Sequence, residues 1–241
     1  METGKVTVFR YNPEKDASAY YETFEYPYTA GMSVLDVAMH VYEKIDGTFS
    51  FSYCCRNSHC GLCGVKINKK PGLMCRESAS VEMTLEPLDH LTVIRDLMVD
   101  FNQYEEQMLG MRLFLERTKP PEKEPEKIEA ADHDLFKIVS RCVKCYCCLS
   151  TCRAFEKNPH EFLGPAALVQ LARHTFDPRD TLNREIIAFG AGITKCHLCD
   201  KCTFVCPHGI SPRKSIEIIR ERLENKYGVP NVVEKKKRVK H

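Results

Sequence analysis

The chain has 241 residues, 43% of them hydrophobic, enough for two packed domains of roughly 100–140 residues each. Its 35 basic and 33 acidic residues leave a net charge of +2, which gives no global attraction to nucleic acid. No apolar run approaches the roughly 20 residues needed to cross a bilayer, and residues 1–5 lack the apolar stretch of a secretory signal. The expectation is a chain kept in the cytoplasm and held at any membrane by another subunit.

Residues 6–11 alternate as a strand, which Asn12 and Pro13 end. Tyr20–Tyr28 predicts a second strand. After Ser33, a good N-cap, Val34, Leu35, Ala38, Met39 and Tyr42 recur at helical spacing. Residues 64–68 and 81–85 alternate again, so the first hundred residues read as a small sheet crossed by one helix. Residues 96–117 predict one long helix, and the proline-rich, charged stretch 119–127 an extended connector. The remainder reads as helical over 165–174, 183–189 and 212–226, with a basic, solvated tail at 234–241.

Fourteen cysteines are the unusual feature. A disulfide framework belongs to secreted chains; here the thiols cluster at gaps of two to four residues. The first group is Cys55-x4-Cys60-x2-Cys63 followed by Cys75, the plant-type spacing for a [2Fe–2S] cluster. Zinc sites more often use two CxxC-like pairs. Gly61 and Gly64 are expected to let the backbone approach this cluster and present N–H groups to sulfur. The second group is Cys142-x2-Cys145-x2-Cys148-x3-Cys152. The third is Cys196-x2-Cys199-x2-Cys202-x3-Cys206, followed by Pro207. They form an internal repeat of the bacterial ferredoxin run, in which the fourth cysteine of each run ligates the other cluster. Cys142, Cys145, Cys148 and Cys206 are therefore assigned to one [4Fe–4S] cluster. Cys196, Cys199, Cys202 and Cys152 are assigned to the other. Cys54 and Cys147 adjoin ligands off their rhythm and are expected to be small buried residues.

The order of these groups resembles the iron–sulfur (B) subunit of succinate dehydrogenases and fumarate reductases. The segments that carry the resemblance are Phe51-Ser52-Tyr53 leading into Cys55-Arg56, Cys60-Gly61-Leu62-Cys63-Gly64, Leu73-Met74-Cys75-Arg76, and Leu91-Thr92-Val93-Ile94-Arg95-Asp96-Leu97-Met98-Val99-Asp100. The resemblance implies an α+β chain. A β-grasp [2Fe–2S] ferredoxin-like domain over 1–105 would be followed by an all-α helical ferredoxin domain over 106–241. It also implies an FAD-bearing flavoprotein partner, and a membrane anchor with a quinone and in some relatives haem b. The chain would then sit peripherally on the cytoplasmic side of the membrane. Many members carry no cysteine where Cys199 stands, and their third cluster is [3Fe–4S]; Cys199 completes the run here and favours [4Fe–4S]. A lower potential at that cluster would suit a menaquinol. His197 matches a histidine near the third cluster in some relatives, which would place it on the quinone side. No Trp is present; Arg153-Ala154-Phe155 stands where several relatives carry one. There is no nucleophile–base pair and no GxGxxG loop, so the chain is expected to have no catalytic residues and no flavin of its own. It would relay electrons between a dicarboxylate site and a quinone, or alternatively serve a thiol- or heterodisulfide-linked reductase.

Overall fold

The computed structural model describes residues 2–118, 120–121 and 125–230. The connector at 119–127 lies partly, and the basic tail at 234–241 wholly, outside them. In chain order the elements are β1 (Glu2–Arg10), β2 (Tyr20–Tyr28), α1 (Val34–His40) continued by a π turn (Val41–Ile45), β3 (Gly64–Ile67), β4 (Lys70–Leu73), β5 (Glu82–Glu86), β6 (Thr92–Arg95), β7 (Met98–Asp100), α2 (Asn102–Gln107), α3 (Ala130–Ser140), α4 (Cys147–Ser150), α5 (Arg153–Lys157), α6 (Gly164–Thr175), α7 (Arg184–Gly190), α8 (Lys201–Phe204) and α9 (Pro212–Tyr227). They fall into two compact units. The first runs to Gln107 and takes in Cys142–Thr151 and Phe204–Gly209. The second holds Met108–Arg141, Cys152–Thr203 and the chain from Ile210 on.

The first unit is built on a mixed sheet of order β2-β1-β5-β3-β4. β1 and β5 are parallel, and every other pair is antiparallel. The inward positions of β1 and β2, Val6, Val8, Phe24 and Tyr26, alternate as a half-buried sheet requires. They share one apolar core with Val34, Leu35, Val37 and Ala38 of α1. Ser33 and Asp36 close a reciprocal capping box that fixes where α1 starts.

The second unit is helical. α6 packs on α9, α3 and α7, and α7 also packs on α9. Gly164 through Ala172 of α6 are all buried, whereas α9 buries Ile216, Ile219 and Leu223 along one stripe. Ser211 accepts from the Lys214 N–H to cap α9, Pro212 fills its first turn, and left-handed Gly228 ends it.

The long helix expected over 96–117 does not form. Asp96 sits at φ 47°, and its carboxylate accepts from the Tyr11 and Ser50 N–H groups at 2.9 Å each and from the buried Arg10. That anchorage turns the chain into the β6–β7 hairpin. Further on, in the second unit, Arg184 is 1% exposed and takes the carbonyls of Met111 and Phe114 at 3.1 and 2.7 Å. Helix formation would need those same acceptors. Only α2 and a 3-10 turn at Leu109–Met111 remain of the periodic stretch.

Candidate cluster-binding sites

Stacked rings of Phe51 and Tyr53 lead the chain into Cys55. Arg56, Ser58 and Gly61 then have φ of 55°, 58° and 75°. These left-handed steps curl the loop so that successive N–H groups face inward, the concave shape that suits an anion. The N–H groups of Asn57, His59 and Cys60 donate to the Cys55 sulfur at 3.4, 3.2 and 3.2 Å. The Asn57 donor leads in holding that thiol down to about 7. Ser58 N–H donates to the Cys75 sulfur at 3.3 Å. The β3–β4 hairpin delivers the remaining thiols: Met74 N–H bonds the Cys63 carbonyl at 3.0 Å, and the Cys63 and Cys75 sulfurs stand 3.4 Å apart. Cys60 is in turn the hydrogen-bonding partner of Cys55. The four thiols thus form two pairs, which is what two irons with two thiolates each require. Burial pushes the Cys63 thiol up to about 12. A cluster drawing electron density from that sulfur would offset the cost of charging it in place.

Gly61 and Gly64 serve a purpose that the spacing did not reveal. A Cβ on Gly61 would run into the Val143 carbonyl oxygen, and one on Gly64 would lie 2.9 Å from the carbonyl oxygen of Cys145. The glycines make room for the backbone of the second cysteine group, which packs in the same unit.

In that second group, Lys144 and Tyr146 take φ of 52° and 58°; in the third group, Leu198 and Asp200 take 49° and 69°. These are the same two positions of the repeat, and each is followed at once by a one-turn helix, α4 or α8. Cys142, Cys145, Cys148 and Cys206 all belong to the first unit, whereas Cys152, Cys196, Cys199 and Cys202 all belong to the second. Cys147 interacts electrostatically with Cys145, Cys148 and Cys206, and Cys142 with Tyr146. Cys152, Cys196, Cys199 and Cys202 line one cavity with Ala154, His197 and Arg213. Cys199 is exposed, yet its thiol interacts with the other three. Burial pushes Cys196 and Cys202 up to about 11 and 12. The Arg213 N–H, in the first turn of α9, donates to the Cys202 sulfur, so the positive end of that helix faces the group. Arg220, 2% exposed, bonds the Cys196 carbonyl at 2.9 Å.

Of the two surplus cysteines, Cys147 is fully buried and its hydrogen bond holds the Cys145 thiol low. Cys54 is exposed, contrary to expectation, because the loop is already turning toward Cys55 there. Among the described residues no group of three or more His, Cys, Asp or Glu side chains is placed to hold a single metal ion; the cysteines gather in pairs and around a cavity instead. Donors aimed at sulfur, paired thiols and repeated left-handed turns all fit iron–sulfur clusters. The Asn57 and His59 donors depend on the left-handed turns of their loop, and Arg213 and Arg220 reach the third group from α9, so none of them had a signal in the cysteine spacing.

The class follows from this chemistry and from family models: a 2Fe-2S iron–sulfur cluster binding domain is matched over residues 5–106, and a 4Fe-4S dicluster domain over 138–210. The fold is similar to a chain of the Mycobacterium smegmatis Sdh1 complex in the apo form, with a TM-score of 0.83 at 25% identity, covering 96% of this chain and 99% of that one. The fumarate reductase iron–sulfur subunit of Mycobacterium tuberculosis is 33% identical over 226 residues, 90% of this chain and 91% of that protein. The chain belongs to the succinate dehydrogenase/fumarate reductase iron–sulfur subunit family. An uncharacterized iron–sulfur protein of Methanocaldococcus jannaschii is 37% identical over 91% of this chain but only 42% of its own length. One of the subunits of the fumarate reductase (CoM/CoB) of Methanothermobacter marburgensis is 31% identical over 89% of this chain and 43% of its own length. The chain spans less than half of these last two relatives. Among the described residues no helix is long and apolar enough to cross a membrane.

Proposed function

We propose that the chain is the electron-relay subunit of a succinate dehydrogenase/fumarate reductase complex. Cys55, Cys60, Cys63 and Cys75 would hold a [2Fe–2S] cluster. Cys142, Cys145, Cys148 and Cys206 would hold a [4Fe–4S] cluster. Cys196, Cys199, Cys202 and Cys152 would hold a third, of [4Fe–4S] type. The observation that carries this reading is the sorting of the two ferredoxin runs: each compact unit takes three cysteines of one run and the fourth of the other, as crossed ligation demands. Each cluster, when bound, takes up and gives back single electrons, and the chain supplies the thiolates and the groups that set the potentials. The hydride chemistry falls to a flavoprotein partner. Quinone chemistry, with menaquinone favoured and haem b an optional companion, falls to a membrane anchor that holds the chain peripherally on the cytoplasmic side. His197, which lines the cavity of Cys152, Cys196, Cys199 and Cys202, is the residue of this chain that would lie on the quinone side.

Purification with native partners under anaerobic conditions tests this. Succinate should reduce the [2Fe–2S] cluster in the assembled complex, seen as the appearance of its EPR signal, and a menaquinol analogue should do so from the other side. A complex with no dicarboxylate-dependent reduction of any cluster would overturn the assignment. A second reading, service to a thiol- or heterodisulfide-linked reductase, is favoured by the likeness to the CoM/CoB fumarate reductase. It predicts reduction by a dithiol pair and copurification with a cysteine-rich subunit in place of a quinone-binding one.

A further inference from the structure

His208 stands two residues beyond Cys206 and 150 residues from the first cysteine loop, yet its Nε2 lies 2.9 Å from the Ser58 carbonyl oxygen. A carbonyl can only accept, so the ring proton is on Nε2. Ser58 is held at φ 58°, a left-handed step that is unfavourable for a non-glycine residue. Each of its polar groups has work: the N–H donates to the Cys75 sulfur at 3.3 Å, the hydroxyl lies 3.9 Å from the same sulfur, and the carbonyl takes the histidine. The carbonyl of Ser58 and the N–H of His59 belong to one planar peptide group. That N–H donates to the Cys55 sulfur at 3.2 Å.

The result is a continuous chain of donors: His208 Nε2–H to the Ser58 carbonyl, and the His59 N–H of the same peptide to Cys55. Donation at one end of a peptide group polarises it and strengthens donation at the other. Hydrogen bonds to cluster sulfur are among the levers that set iron–sulfur potentials. Reduction places more charge on the sulfur, so a stronger N–H donor favours the reduced form.

We propose that His208 is a positioning residue that raises the potential of the [2Fe–2S] centre by polarising the Ser58–His59 peptide toward Cys55. The proposal rests on the ligand assignment given under Proposed function. It makes the last segment of the second cysteine repeat, Cys206-Pro207-His208, a control on the first cluster. Proline fixes the backbone between ligand and imidazole, so closing Cys206 onto its cluster also sets the histidine.

The test compares three full-length chains carrying their clusters: unaltered, His208→Phe and His208→Gln. The readouts are the midpoint potential of the [2Fe–2S] signal by EPR-monitored titration and the hyperfine coupling of exchangeable protons near Cys55. His208→Phe keeps a ring but no donor; it should lower the midpoint and weaken the coupling. His208→Gln keeps an N–H donor and should restore most of both. If the Phe variant does not fold, His208→Leu takes its place in the comparison. An unchanged midpoint in the donorless variant with the [2Fe–2S] signal intact overturns the role of His208 alone. Equal shifts in the donorless and Gln variants would also overturn it, leaving only a packing contact. Absence of a plant-type [2Fe–2S] signal from the unaltered chain would instead overturn the ligand assignment, and the proposal with it.

Discussion

Residues 142–152 and 196–206 carry one backbone design in two settings. Both turn left-handed at the residue before and the residue after the second cysteine, and both enter a one-turn helix immediately afterwards. In the first repeat Cys145, Tyr146 and Cys147 are 9%, 3% and 0% exposed. The Tyr146 ring stacks on Phe101 and meets Tyr104 edge-on, and its hydroxyl donates to Glu105 at 2.5 Å. In the second repeat Cys199 is open to solvent beside Asp200 and Lys201. The comparison separates two kinds of information. Cysteine spacing and strained turns set the shape of the cradle. Neighbouring residues set how much water reaches it, and with it the potential and the chemical fragility of whatever is held there.

The sharpest way to break the comparison is Cys206→Ala. If each repeat lends its last cysteine to the other, the cluster of Cys142, Cys145 and Cys148 is lost and that of Cys196, Cys199 and Cys202 persists. Iron content and EPR would show one cubane signal missing; disappearance of the other signal would refute the exchange. The next contrast pairs Cys145→Ala with Cys199→Ala. The buried change should abolish its cluster and lower stability, because it empties a core position. The exposed change should leave a folded chain whose third centre is of [3Fe–4S] type in Mössbauer spectra. Two variants with indistinguishable loss would deny that burial matters.

A smaller effect is expected from Gly61→Ala. The positive φ and the overlap with the Val143 carbonyl together should cost about 1–3 kcal/mol. The loss should appear as a lower unfolding midpoint of the [2Fe–2S] absorbance, and the third cluster should keep its spectrum. Smallest of all is an acid effect confined to the first repeat. Burial alone would raise the Glu105 pKa, but the Tyr146 hydroxyl and the Lys144 ammonium override it and hold the carboxyl below its usual value. Because the folded pKa is the lower one, the contact stabilises above the ordinary carboxylate value of about 4.3. That contribution drains away as pH falls through the folded value. Tyr146→Phe should shallow the acid limb of a stability–pH curve read at the second cluster and leave the third unaffected.

The two iron–sulfur domains were legible because cysteine spacing is local, and so were β2, α6, α7 and α9, whose periodicity lies within the elements themselves. The long helix over 96–117 was misread because its competitors, the Asp96 anchorage and the Arg184 side chain, act from distant segments. The purpose of Gly61 and Gly64 escaped notice for a similar reason. Their neighbours are Val143 and Cys145, and no pattern within residues 55–64 announces them. The carbonyl of Ser58 looks like any loop carbonyl until His208 is placed against it.

The first compact unit begins with β1 but includes Phe204–Gly209. A ribosome that has released the whole sheet has therefore not yet released everything the unit needs. On the proposed ligand assignment Cys142, Cys145 and Cys148 wait for Cys206, and the Ser58 carbonyl waits for His208, until Gly209 has left the exit tunnel. Completion of this unit is thus an event in time as well as in space, set by when late residues reach early ones.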